Sequence, residues 1–231
     1  MTFGLRQNSN ANKNPIGGEF VINSIIENNR SLLAAALGVP SSKLYLPQQV
    51  HQTTIANVTH HTLPGDLADT DALITNQPGI CIAVMAADCA SILLYDKKNN
   101  AIGAVHSGWR GTVARILHKT LVEMNKQFGT KSEDLVAGIG PSVCQDSYEV
   151  GEEVIQAVNA SFGSKNELLI HQSNNKAKFD LWKANTLQLL EYGVNTSQIE
   201  ISNLCTVKNN NIFFSARKGD VGRFAAGIML V

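Results

Sequence analysis

Between Gly79 and Asp88 the chain reads Ile-Cys-Ile-Ala-Val-Met-Ala-Ala, an apolar run with no polar break. It is far short of the about 20 residues that a helix needs to cross a bilayer. A continuous run of this length bounded by Gly79 and Asp88 predicts a strand over 79–87 that is buried on both faces. Such a strand needs apolar cover on each side, so the chain has to fold in layers.

The neighbouring segments supply that cover. Residues 91–96, "SILLYD", and 101–106, "AIGAVH", read as further strands joined by the turn "DKKNN". Val113, Ile116, Leu117, Thr120, Leu121, Met124 and Phe128 then keep a helical rhythm, and Gly129 is placed as a stop. An earlier helix is expected over 22–37, ending at Gly38 and Pro40. Beyond the long helix, "LVAGIG" reads as a strand and "EEVIQAVNA" as a helix. "DLWKANTLQLLEYG" reads as a helix capped by Asp180. Three late strands are expected in "IEISNLCT", "IFFS" and "FAAGIML". Strands and helices interleave while the last strands crowd together, so the expected fold is an α/β (α+β) sandwich, mixed β-sheet layers with helices on the faces. No linker is visible, and residues 1–231 are read as a single domain.

Composition excludes several function classes. The 19 basic and 19 acidic residues cancel, so no global field recruits nucleic acid or an anionic membrane surface. The first residues, "MTFGLRQNSNANKNP", lack a basic segment followed by an apolar one. Four cysteines without framework spacing suit a reducing compartment, and a cytoplasmic location is expected.

Three polar interruptions fall at the ends of apolar or extended segments: His51 in "QQVHQT", Cys89 with Asp88 in "MAADCAS", and His106 in "AVHSGWRG". Loops at strand ends gather side chains that are distant in sequence. One thiolate with two imidazoles suits zinc and leaves a fourth position open. The same atoms also make a thiol nucleophile, with His106 as base and Asp88 orienting the ring or lowering the thiol pKa. A purely structural pair, a hydrogen-bonded histidine and a small buried cysteine, fits them as well. The residues alone leave all three open.

Beside His106, "GWRG" offers an anion end. Gly108 and Gly111 permit close backbone approach, a helix starting near Gly111 presents N–H groups, and Arg110 adds a fork suited to phosphate or carboxylate. The alternative makes Arg110 the partner of a surface carboxylate and the glycines mere turn residues. Trp109 can stack on a planar base or pack in the core. Ser215, Arg217 and Arg223 in "FFSARKGDVGR" supply either a second anion contact or a solvated loop. His60, His61 and His171 read as loop residues, His118 as exposed on its helix, and Cys81 and Cys205 as core. Cys144, Tyr148 and Glu149 lie in a Gly/Pro-rich loop that can line a pocket.

Together "QQVH", "ADTDALIT", "AADC", "AVHSGWRG", "GIGPSVCQDSYEVG" and the spaced set "CT", "FFSAR", "GR" resemble the laccase-domain, or YfiH-like, family. The resemblance runs from about residue 45 to the C-terminus, leaving 1–44 as a divergent N-terminal segment of the same domain. It implies a zinc ion held by His51, Cys89 and His106, with copper disfavoured. It also implies phosphorolysis of adenosine and inosine, with inorganic phosphate as co-substrate, to the free base and ribose 1-phosphate. Methylthioadenosine phosphorolysis and adenosine deamination are related activities. The partners expected are small purine nucleosides and phosphate, without nucleic acid or membrane; an oligomer is compatible.

The four residues expected to carry the chemistry are thus His51, Cys89, His106 and Arg110. Two departures bear on substrate choice: Gln52 stands where the family usually has glycine, and the N-terminal pattern is only echoed, with Arg6 and Arg30 as candidate contacts. The family's older description implies a multicopper phenol oxidase. Six histidines with no His-x-His pair argue against coupled copper centres. A cytidine-deaminase type of zinc site also lacks its His-x-Glu and Pro-Cys-x-x-Cys elements.

Overall fold

The computed structural model describes residues 2–3, 18–164 and 167–231. Strand β1 (Thr2–Phe3) and helix α1 (Gly18–Ala36) precede the short strands β2 (Leu44–Tyr45), β3 (Ile55–Asn57) and β4 (Ala72–Thr75). The three apolar runs become β5 (Cys81–Ala86), β6 (Ala90–Asp96) and β7 (Ala101–Ser107). Helices α2 (Trp109–Val113) and α3 (Ile116–Phe128) lead to β8 (Leu135–Ile139), β9 (Glu149–Val150) and α4 (Glu152–Phe162). Then come β10 (Leu169–His171), β11 (Ala177–Phe179), α5 (Leu181–Tyr192), β12 (Ile199–Ile201) and β13 (Phe224–Met229).

A six-stranded sheet in the order β12-β8-β6-β7-β4-β3 stacks on a four-stranded sheet in the order β1-β13-β5-β2. Both are mixed: β5 runs antiparallel to β13 and parallel to β2, while in the large sheet β6 is antiparallel to β7 and β8, and β12 is parallel to β8. A small third sheet joins β10, β11 and β9. Side-chain alternation builds the layers. Leu73, Leu93, Ile102 and Ala104 point from the large sheet to Ile82, Val84 and Ala226 of the small one. Their neighbours Ile74, Ile92, Leu94 and Val105 point the other way, to Ile116, Leu117, Leu121 and Met124 of α3. On the far side of the small sheet, Cys81 and Ala83 pack against Ala34 of α1. Strand β5 is therefore covered on both faces, and the order helix, sheet, sheet, helix is the sandwich expected from the sequence.

Three local readings need correction. The long helix is two: Arg115 adopts a left-handed conformation (φ 64) between α2 and α3. Thr112 pins α2 to the end of β7, while α3 turns to lay its apolar face on the large sheet. Residues 212–215 form no strand, because Ser215 is drawn to Asp88 while Phe213 packs on Phe224. The strand expected in "IEISNLCT" stops at Ile201, and Cys205 makes only an isolated bridge to Ser142. Among the described residues no helix is long and apolar enough to cross a membrane.

Candidate metal centre

The crossing from the small sheet to the large one, Ala87-Asp88-Cys89, lies beside the end of β7. Asp88 takes a left-handed conformation (φ 83), which turns the chain sharply enough for Cys89 to face His106. His51 arrives on the loop between β2 and β3, itself left-handed (φ 61). Cys89 Sγ lies 3.9 Å from His51 Nε2, and the His51 and His106 rings meet edge to face at 4.8 Å between centroids. One ligand atom from each of the three residues falls within 4.8 Å of the others. Tetrahedral zinc with bonds of about 2.3 Å to sulfur and 2.0–2.1 Å to nitrogen separates such atoms by about 3.5 Å. Small side-chain rotations close that difference, so the donor set fits one ion.

Asp71 organises the centre, and sequence reasoning missed it. It sits just before β4, whose Ala72 pairs with Val105, so it faces His106 across the ladder. Its buried carboxylate accepts the His106 Nδ1 proton at 2.8 Å. It also accepts the backbone N–H groups of Val50 (3.2 Å), His51 (3.0 Å) and Gln52 (2.8 Å). One side chain thus orients the buried imidazole, with Nε2 turned toward Cys89, and clamps the loop that carries the other histidine.

The electrostatics follow from this geometry. Burial opposes ionisation of Asp71, yet the His106 ring and the backbone donors hold its carboxyl below the usual range. Burial likewise opposes the Cys89 thiolate, but the His106 and His51 rings prevail and bring the thiol down to about 6. Against its own burial, His106 is raised to about 9 by Asp71 and then Cys89. Together these shifts favour a thiolate beside an imidazolium in the metal-free chain. A divalent cation held here would displace that ring proton, since a ligating imidazole is neutral.

Gly108 follows β7, and its role is spatial. A Cβ there meets Cys89 Sγ at 2.7 Å and His51 Cδ2 at 3.3 Å, so the centre's own side chains fill that space. At Gly111 a Cβ meets Ile116 at 3.1 Å. A buried polar network fixes the turn between them: Ser107 Oγ donates to Asn185 Oδ1 at 2.8 Å and meets Thr112 Oγ1 at 2.9 Å. Asn185, on α5, lies in the spaced "DL…AN…LL…GV" set that shares in the family resemblance, but the sequence alone assigns it no role. The helix expected to start near Gly111 starts instead at Trp109, and Thr112 N is bonded back to Gly108 O at 2.8 Å. Arg110 is exposed, lying 4.2 Å over the Trp109 ring and 3.6 Å from Glu153 Oε1, and Trp109 packs partly against the core.

Asp88 does not orient the imidazole as its sequence position suggested. Its carboxylate accepts Thr206 Oγ1 (2.6 Å), Ser215 Oγ (3.0 Å) and Arg217 N (2.8 Å), fastening residues 206–217 beside Cys89. Cys144 N donates to Cys205 Sγ at 3.3 Å, and both cysteines are buried. Burial pushes the Cys81 thiol up to about 11. His60, His61 and His171 are exposed, the last at the end of β10 rather than in a loop, and His118 is half-buried against Tyr192. Arg30 donates to Leu44 O, at the opposite end of β5 from Asp88, roughly 20 Å away at a strand's rise per residue. Arg6 lies outside the described residues.

A sequence profile described as multi-copper polyphenol oxidoreductase laccase matches residues 23–231. A purine nucleoside phosphorylase of Bacteroides thetaiotaomicron is 40% identical over 215 residues, covering 89% of this chain and 80% of the relative. Adenosine deaminase RL5, from an unknown prokaryotic organism, is 35% identical over 209 residues, covering 86% and 79%. Among solved structures, the hypothetical protein YfiH of Bacillus licheniformis superposes with a TM-score of 0.83 at 28% identity, covering 88% and 80%. YlmD of Geobacillus stearothermophilus superposes at 0.80 with 29% identity, covering 88% and 79%.

Proposed function

The chain belongs to the multi-copper polyphenol oxidoreductase laccase family, and on that premise we propose that it is a zinc-dependent purine nucleoside phosphorylase rather than a phenol oxidase. The observation that carries this reading is the convergence of His51, Cys89 and His106 on one point, with Asp71 behind the buried histidine. That is one borderline-soft donor set, and among the described residues it is the only such cluster. Coupled copper chemistry needs several imidazole-rich centres, which this inventory does not provide.

The substrates are adenosine and inosine, with methylthioadenosine accepted, and the co-substrate is inorganic phosphate. A zinc ion held by His51, Cys89 and His106 supplies Lewis-acid polarisation at the reacting group when bound. A phosphate oxygen forms a bond to C1′ of the ribose as the C1′–N9 bond breaks, and the purine leaves with a proton in place of the sugar. Arg110 is assigned to phosphate, since its partner Glu153 is exposed and 3.6 Å away, a pairing easily exchanged for a stronger anion. Asp71 keeps His106 in the tautomer that presents Nε2 to the centre. Adenosine deamination, the activity for which one relative is named, is a side reaction of the same pocket. The other three cysteines, Cys81, Cys144 and Cys205, are unbridged, which accords with work in the cytoplasm.

The test is to incubate zinc-loaded protein with inosine, with and without phosphate, and to follow hypoxanthine. Phosphate-dependent release of hypoxanthine with stoichiometric ribose 1-phosphate is expected. Folded, metal-loaded protein that releases no base overturns the reading.

A further inference from the structure

We propose that Arg217, together with Arg110, forms the oxyanion-binding arm of this centre, and that inorganic phosphate is the ligand it takes. The inference rests on the phosphorolysis reading and adds a residue that reading does not use.

Arg217 is fixed next to the centre by its backbone rather than by its charge. Its N–H donates to Asp88 Oδ2 at 2.8 Å, and Asp88 immediately precedes Cys89. With the main chain held there, the guanidinium swings out over the Tyr148 ring, 4.9 Å from its centroid, and donates to the backbone oxygen of Glu149 at 2.8 Å. None of these contacts neutralises it. The Asp88 carboxylate is engaged by Thr206, Ser215 and the Arg217 N–H, and the Glu149 carboxylate by Lys176. Among the described residues Arg217 has no carboxylate partner. A guanidinium retains two faces of donors for an incoming anion after giving one N–H to a carbonyl.

Tyr148 ties this arginine to the rest of the site. Its buried ring lies against Phe179 and gives the Arg217 guanidinium a flat face to rest on. Arg110 reaches the same stretch of chain: Arg217 donates to the Glu149 carbonyl, and Arg110 lies 3.6 Å from Glu153 Oε1. Two exposed guanidinium groups thus reach residues 149–153, and one of them is anchored through Asp88, the residue before Cys89. That combination suits a tetrahedral oxyanion, with two forks for its charge.

The experiment is a titration of zinc-loaded protein with inorganic phosphate and, separately, with inosine monophosphate, for wild type, Arg217→Gln, Arg217→Lys and Arg223→Gln. Arg223 is the control, since its guanidinium rests on the carbonyls of Val221 and Gly222. We expect Arg217→Gln to weaken phosphate binding at least tenfold, Lys to restore part of it, and Arg223→Gln to match wild type. In turnover, Arg217→Gln raises KM for phosphate and leaves KM for inosine within twofold. Phosphate binding unchanged in Arg217→Gln, or absent in wild type, overturns the inference even if inosine is cleaved. Arg217-dependent phosphate binding without inosine cleavage upholds the anion arm while the phosphorylase reading falls. Tighter binding of inosine monophosphate than of phosphate, lost equally in Arg217→Gln, assigns the arm to a nucleotide and overturns the co-substrate role.

Discussion

Asp71 and His106 meet twice, through the side chains at 2.8 Å between Oδ1 and Nδ1 and through the backbone at 2.8 Å between His106 N and Asp71 O. The double contact joins the β4 and β7 ends so that neither the ring nor its strand can shift alone. Asp71→Asn removes the charge and turns an amide donor toward either His106 or the N–H groups of residues 50–52. We expect zinc affinity to fall about 10- to 100-fold, as for other partners behind a ligating histidine. Stability falls by about 1–3 kcal/mol for each buried donor left unpaired. Competition with a chromophoric chelator measures the first effect and thermal unfolding of the metal-free protein the second.

Gly108→Ala separates the centre from the fold. The glycine has an ordinary extended-side conformation (φ −72, ψ 177), so no backbone strain arises; the nearest atoms that an added methyl meets belong to Cys89 and His51. Metal content and turnover should drop at least tenfold while the circular dichroism spectrum is preserved. Full zinc content in the Gly108→Ala variant counts against this arrangement.

The metal-free protein should show an unusually acidic thiol. A pKa depressed to about 6 makes the reactive thiolate predominate above that pH, whereas an ordinary thiol titrates near 9. Alkylation of chelator-treated protein by iodoacetamide is expected to reach half its plateau rate near pH 6 at Cys89. His106→Ala removes the main stabilising partner and moves that midpoint upward. Zinc should protect Cys89 throughout. Equal alkylation with and without zinc points instead to a free thiol nucleophile, the cysteine-hydrolase alternative.

Asp88→Ala addresses the C-terminal segment. Three donors lose their acceptor at once, those of Thr206, Ser215 and Arg217. Residues 206–217 should detach, and limited trypsin digestion should cut at Lys208, Arg217 or Lys218 at least tenfold faster than in wild type. Unchanged digestion contradicts the anchoring role.

Much of this architecture was legible in the chain. The unbroken apolar run that becomes β5 announces burial on both faces, and Asp180 caps α5 by accepting Lys183 N at 2.9 Å. The break at Arg115 was not legible, because the apolar rhythm from Val113 to Leu117 continues across it. Phe213 and Phe214 look strand-forming, yet the pull of Asp88 on Ser215 and Arg217 overrides that preference. The candidate metal ligands stood out as polar residues ending apolar or extended segments. Asp71 did not, because an acidic residue before a strand looks the same whether it is solvated or buried. Its partner is 35 residues away, and only strand pairing reveals it.

The central claim is that one sulfur and two imidazole nitrogens of this chain share a single zinc ion. X-ray absorption at the zinc edge, on protein purified without added metal, tests it most directly. The account predicts about one zinc per chain, with one sulfur at about 2.3 Å and two nitrogens at about 2.0–2.1 Å, the sulfur lost in Cys89→Ser. A metal shell without sulfur, or a metal content indifferent to Cys89→Ser and His106→Ala, contradicts it.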